Sequence, residues 1–338
     1  MEYAALSCLG DALDATREFL LPVDRGLWLR LFVVVFFLSG GSGAGSLPNI
    51  SWQVPAGNIQ GLPEDSVPAD GLPIALFEEY LPLIVGVAVV FALAGLLFTF
   101  VGAVMEFVLV DALRTESVSV RAMFREHVGK GLVLFAVYLA LFLVTAVPIA
   151  GSGVLFVVPA LDGGGAALAI GVLLTGLVAV VVGVLAALAY VFTVAFVVPT
   201  MLAEDRGLRS AWGRFWGVLR GNVVEFLVYL GIRIGLLIAL GIVAGTVVGT
   251  AGAMLLIPFG ILAGVVFFAS GASLSVGSTI LIAVVAVLYV LTLLAVVALV
   301  QVPLKTFTRY YELFVLGDID PDLDLVRVRR EDLRSGSH

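Results

Sequence analysis

A chain of 338 residues that is 61% hydrophobic and only 13% charged is not a soluble domain, in which charged residues make up about a quarter; its place is a membrane. One cysteine, Cys8, and two histidines, His127 and His338, leave no disulfide framework and no cluster of soft metal ligands, so no metal and no cofactor is expected. The net charge of -7 argues against nucleic acid, whose phosphates call for a basic surface.

Leu6, Leu9, Leu13, Thr16 and Leu20 recur at helical spacing and predict an amphipathic helix lying on the membrane surface. Six apolar runs follow, each near the roughly 20 residues that a helix needs to cross the hydrocarbon core. They span 27–45, 81–110, 131–158, 167–198, 223–252 and 276–302. A cleaved signal at the first run is disfavoured, because the residues before it include Asp11, Asp14, Glu18 and Asp24 where a basic n-region belongs. Residues 46–80 read as an outer loop. The apolar stretch 253–275, with Pro258, Gly260 and the small residues Ser270 to Ser273, suits a connector of broken half-helices rather than another crossing. Residues 1–316 then form one membrane domain, and 317–338 a solvated tail of mixed charge.

Basic residues near membrane ends stay on the cytoplasmic side. Arg17, Arg25 and Arg30 precede the first run; Arg114, Arg121, Arg125 and Lys130 follow the second; Arg206, Arg209, Arg214 and Arg220 follow the fourth. Lys305, Arg309, Arg327, Arg329, Arg330 and Arg334 follow the sixth, and only Arg233 falls inside a run. Both termini are therefore expected in the cytoplasm, with the protein in the cell membrane.

A shift of 91 residues superposes Ser119 on Ser210, Phe124 on Phe215, Phe135 on Phe226 and Val137-Tyr138-Leu139 on Val228-Tyr229-Leu230, which points to an internal duplication. The segment before each odd-numbered run is amphipathic. In 208–220 Leu208, Trp212, Phe215 and Leu219 share a face opposite Arg209 and Arg220; in 118–128 the apolar face is Val120, Met123, Phe124 and Val128. A fourth such segment follows the last run, with Leu304, Phe307, Tyr311 and Phe314 on one side and Lys305, Arg309 and Glu312 on the other. The expected fold is an all-α, six-span bundle of three hairpin units, each preceded by a cytoplasmic surface helix.

The stretches ALDATREFLLP (12–22), GLWLRL (26–31) and SAWGRFW (210–216), with the glycine cluster 40–45, resemble a group of haloarchaeal multi-pass membrane proteins of uncharacterised function. The layout is similar, more remotely, to the membrane domain of some glycerophosphoryl diester phosphodiesterases, although no hydrolase domain is present to carry that activity. The resemblance implies an archaeal, halophilic source, which the acid excess and the preference for Arg over Lys fit.

Arg233 is the most informative residue, because a charge 11 residues beyond Asn222 stands about 16 Å along a helix, at membrane depth. Glu225 and Tyr229 share its stripe, and Glu106 is a further partner candidate. The site is read either as an ion or substrate site or as an ion-pair brace. Gly231, Gly241, Gly245, Gly249 and Gly252 mark a face that another helix can approach closely, within the chain or in a second copy. Gln301 and Lys305 read as the cap and anchor of the last span. Asp320, Asp322, Asp324 and Glu331 have calcium-loop spacing, but Leu325 stands where that loop needs Gly, so a solvated acidic tail is expected.

The leading functional expectation is a non-enzymatic protein that binds or organises membrane lipids and partner proteins through its surface helices. A transporter or channel built on Glu106, Glu225 and Arg233 is the alternative. A lipid-modifying enzyme comes third, because no paired acid and base is visible.

Overall fold

The computed structural model describes residues 4–41, 74–161, 165–271 and 275–335, and among them it contains helices and turns but no strand. The helices are α1 (Ala4–Leu20), α2 (Arg25–Gly41), α3 (Ile74–Thr115), α4 (Val120–Ser152), α5 (Gly165–Phe192), α6 (Val198–Ala203), α7 (Leu208–Gly221), α8 (Val223–Ala269), α9 (Val276–Ile319) and α10 (Arg327–Ser335). Five helical stretches are long and apolar enough to cross a membrane: Leu81–Thr115, Val120–Val157, Gly165–Ala203, Val223–Ala269 and Val276–Ile319. The segment expected as the first span is the 17-residue α2, which is not among the five. Much of the expected outer loop lies outside the described residues, and its end is already helix from Ile74.

The helices overrun the expected spans. The 47 residues of α8 rise about 70 Å, more than twice the roughly 30 Å of a hydrocarbon core. Pro258 sits inside α8 without breaking it, so 253–269 is a continuation of the helix and not a pair of broken half-helices. Gly271 takes a positive φ of 73° at the turn that follows, and α9 returns alongside α8. There Tyr289 Oη lies 3.4 Å from the Gly252 carbonyl oxygen.

The packed core lies at one end of the molecule, called here the charged end. It is built from α1, α2, the last turns of α3, the first half of α4, residues 195–202, α7, the first turns of α8 and the last turns of α9. Toward the other, apolar end the long helices carry their aliphatic side chains outward: Val90, Phe91, Leu173, Ile242 and Val276 are all well over half exposed. A contiguous apolar surface of this extent is what lipid covers.

Surface helices were expected at four places, and two are separate elements. Asn222 divides α7 from α8, whereas 118–128 runs straight into α4 and 304–314 is simply the continuation of α9 through Pro303. The last segment is far from superficial: Tyr310, Tyr311, Phe314, Val315 and Leu316 are buried together with Arg309 and Glu312. The segments 119–139 and 210–230, expected to be duplicates, differ in backbone, since Gly131 stands mid-helix where its counterpart Asn222 interrupts the chain. Gly131 is needed for another reason: a Cβ there would lie 2.3 Å from Val104 Cγ2 and 2.8 Å from Val104 Cα, so α3 and α4 cross backbone to backbone only because that atom is absent.

α1 packs on α9 through a small-residue face, Ala5, Cys8, Ala12 and Ala15 with Thr16 and Leu20, while Leu6 and Leu13 are half exposed. The leucine face expected to hold α1 down thus points partly outward, because only the alanine face lets the helix sit close on α9. Tyr311 Oη donates to the Ala5 carbonyl at 3.2 Å and fixes that contact.

The tail is folded as a strap along the charged end, and α10 remains open to solvent with no residue buried. Arg334 reaches Asp11 and Asp318, each at 2.8 Å; Arg329 reaches Glu18 at 2.8 Å; Arg330 pairs with Asp318 and Asp324. The calcium-spaced carboxylates are engaged by arginines, Asp320 by Arg214 at 2.8 Å and Glu331 by Arg327 at 2.8 Å. Gly317 lets the strap close, since a Cβ there would fall 2.7 Å from Asp324 Cγ. Burial pushes the Asp324 carboxyl above its ordinary range, against the opposing pull of Arg330. Burial, reinforced by Asp318 whose carboxylate accepts from Cys8 Sγ at 3.2 Å, pushes the Cys8 thiol well up and leaves it inert.

Candidate functional site, a buried charge network

Arg233 projects from the third turn of α8, one turn beyond the fully buried Tyr229. It donates to Tyr229 Oη at 2.8 Å and forms an ion pair with Glu312 of α9. The other Glu312 oxygen accepts from Arg309 at 2.9 Å, and Arg309 in turn pairs with Glu106 of α3. The four charges form one chain, Glu106, Arg309, Glu312, Arg233, that alternates in sign and sums to zero. Glu106, Arg309 and Glu312 are each more than nine-tenths buried, whereas the Arg233 side chain retains 21% exposure.

Arg309 has one more partner, and the fold is locally altered to supply it. Between α5 and α6 the chain makes a π-helical turn, Thr193–Val197, whose wider backbone spacing frees carbonyls from the regular ladder. The Val194 carbonyl accepts from Arg309 Nη1 at 2.8 Å. The guanidinium is thus bonded by α3, α9 and the end of α5 together, so that burying it is compensated by charge-assisted bonds.

Aromatic rings wall the network. Tyr229 stacks on Tyr311 at 5.9 Å and meets Phe196 edge-on at 4.8 Å; Phe196 stacks on Phe215 of α7 at 5.4 Å, and Phe226 stands edge-on to both. Tyr138, paired with Tyr190 at 5.4 Å, lies in the field of Glu106 and Arg309. Tyr138 and Tyr229, which match at the shift of 91 residues, therefore both lie near the charges.

Of the residues expected at the site, Arg233, Tyr229 and Glu106 come together, although Arg233 and Glu106 meet only through Arg309 and Glu312. Glu225 does not join: among the described residues it makes no ion pair, and its Oε2 is buried without a hydrogen bond. Lys305, expected as a helix anchor, instead lies in the field of Glu106, Arg309 and Glu312. The glycine face is open at Gly231, Gly241, Gly245 and Gly249, and only Gly252 is approached, by Leu293 and Tyr289. On α7, Phe215 is fully buried and Trp212 partly so, while Arg209 and Arg220 are exposed. Arg220 lies over the ring of Trp216, 5.1 Å from its centroid.

The model of a family of unknown function, DUF7544, matches residues 3–326. The chain belongs to the DUF7544 family. No curated protein and no solved structure matches it. The family is uncharacterised, as the resemblance in the sequence implied; the match shows no likeness to haloarchaeal proteins or to phosphodiesterase membrane domains. The matched stretch of this DUF7544 protein holds every residue of the charge network, the π-helical turn and the strap up to Val326. Arg309 and Glu312, the centre of the site, escaped the sequence reading because they were assigned to the polar side of a surface helix. A signal for them was present: an intramembrane arginine needs a carboxylate at its own depth, and α8 and α9 must be antiparallel neighbours across a short turn, which brings Glu312 toward Arg233.

Proposed function

We propose that this DUF7544 protein is a non-enzymatic membrane scaffold that binds and organises lipids and partner proteins, its charge network serving as a brace. The observation that carries this reading is that the network is closed on itself: each of the two carboxylates is engaged by an arginine, and each arginine by a carboxylate. A permeation site keeps ligand positions free, whereas here the positions are taken by aromatic rings and by the Val194 carbonyl. Exposed Trp216 beside Arg220 on α7, and half-exposed Leu6 and Leu13 on α1, support contact with the membrane interface. The wider layout proposed is six spans, with α2 as the sixth, in three hairpin units whose charged ends and both termini face the cytoplasm of the cell that carries the protein in its plasma membrane. The segregation of basic residues supports it.

The reading is tested in liposomes. The wild-type protein should pass protons, sodium, potassium and chloride no faster than protein-free vesicles. The paired replacement Arg233→Met with Glu312→Gln should leave folding and lipid retention intact. An ion flux that disappears in this paired variant while its stability is normal would overturn the brace in favour of a pathway.

A further inference from the structure

Beside the network, between α1, the start of α2, α8 and α9, runs a groove of about 450 Å³ lined almost wholly by apolar atoms. Leu20, Trp28, Leu236, Leu240 and Phe307 form its walls, and Arg17 stands at its rim. The groove opens onto the lipid-facing surface: Leu13 and Leu21, which also line it, are half exposed, as are Leu237 and Ile238 beside Leu236. An occupant therefore reaches it from within the bilayer without crossing a polar barrier.

Arg17 gives the rim a positive charge. Arg17 is exposed and makes no ion pair among the described residues, while the acidic groups around it are engaged elsewhere or turned to solvent. Glu18 is paired with Arg329, Asp11 with Arg334, and Asp24 accepts the Gly26 and Leu27 backbone N–H groups at 3.0 and 3.4 Å; Asp14 is exposed on the same helix. Trp28 is held in the wall by its Nε1 donating to the Leu20 carbonyl at 3.2 Å, so the groove is bounded by a fixed ring rather than a mobile one.

We infer that this groove is a binding site for one anionic phospholipid, with an acyl chain along the α8–α9 wall and the phosphate against Arg17. The inference rests on the lipid-binding reading above and names the lipid class and the place. An apolar trough supplies affinity in proportion to the methylenes it removes from contact with loosely packed neighbours, and a guanidinium at its mouth prefers a phosphate whose negative charge is not offset by an ammonium in the same headgroup. A zwitterionic lipid offers the same tails, so the groove alone does not discriminate and Arg17 must.

The test uses delipidated full-length protein in neutral detergent, phosphatidylglycerol and phosphatidylcholine of matched chains, and native mass spectrometry to count retained lipid. Phosphatidylglycerol should be retained about tenfold more tightly; Arg17→Gln should reduce it to the phosphatidylcholine level, and Arg17→Lys should keep part of the preference. Leu240→Trp, which fills the trough without touching the rim, should lower retention of both lipids while the melting temperature is unchanged. Unaltered preference in Arg17→Gln, or unaltered retention in Leu240→Trp, sinks the groove site but leaves lipid binding elsewhere on the protein standing. Displacement of the lipid by inorganic phosphate alone would make it a free-anion site, and loss of a dimer in Leu240→Trp would make the occupant a second copy; either outcome contradicts the inference. Failure of the wild type to retain any lipid would remove the broader reading as well.

Discussion

The two ends of this molecule are made from the same helices and obey different rules. At the charged end α3, α8, α9 and the π-helical turn after α5 are tied together by Glu106, Arg233, Arg309, Glu312 and the Val194 carbonyl, with Phe196, Phe215 and Phe226 packed on one another beside them. At the apolar end α8 buries only Ala244, Val248 and Gly252 along its far half, and most of its other leucines, isoleucines and valines face outward. The contrast shows where membrane helices find their specificity: lipid tails are as apolar as leucine, so apolar contact adds little to helix association, and close packing, hydrogen bonds and charge must do it instead.

The comparison is broken most severely by stranding a charge. Glu312→Gln leaves Arg233 without its carboxylate while Arg309 keeps Glu106, and should cost about 3–5 kcal/mol, read as a large drop in melting temperature in detergent. Leu291→Ala, at a position more than half exposed on the same helix, should change the melt by a small fraction of that. Equal effects at the two positions would erase the distinction between the ends.

Glycines sharpen the same contrast. Gly131→Ala forces a methyl into Val104, whose backbone is part of the obstruction, and should cost about 1–3 kcal/mol. Gly241→Ala, with nothing within 4 Å, should be neutral or mildly stabilising because it removes backbone entropy from the unfolded chain. A thermal melt of the two variants side by side decides it.

Smaller effects are expected on the polar surface of the charged end. Arg334→Gln removes partly exposed pairs with Asp11 and Asp318 and should cost at most about 1 kcal/mol, with earlier protease cleavage within 327–335. The smallest is pH-dependent. The Lys130 ammonium, 2.7 Å from Asp205, holds that carboxyl below its ordinary range. A lowered folded value means the contribution is complete above the aspartate's unfolded value and is lost as pH falls through the folded one. Asp205→Asn should therefore differ slightly from wild type at neutral pH and merge with it in strong acid; a difference that grows on acidification would contradict the pairing.

Much of the helical layout was legible in residues alone, and the failures have separate physical causes. Pro258 was read as a break, whereas in an apolar setting neighbouring helices and local backbone adjustment let a proline ride inside a helix, as Pro258 and Pro303 both do. That misreading produced the supposed connector at 253–275, whereas the supposed surface helix at 304–314, which hid Arg309 and Glu312, came from its two-faced pattern. The 304–314 pattern looked two-faced because one face carries aromatics and the other charges; α9 is surrounded, so both faces are buried, and moment alone cannot distinguish solvent from a buried counter-charge. The leucine stripe of α1 misled in the opposite sense, since small residues seat a helix more closely than large ones. Arg233 and Phe215 were legible because each violates its surroundings, a charge in a span and an aromatic in a basic segment.

The proposed brace is one structural unit, the charge network, holding the charged end together. A double-mutant cycle on Arg233 and Glu312, with Arg233→Met, Glu312→Gln and the pair, measures it through unfolding in detergent. Each single variant should lose about 3–5 kcal/mol and the pair should lose less than either, because Arg309 and Glu106 remain matched to each other. Losses that simply add would show the two side chains to be energetically independent and would contradict the brace.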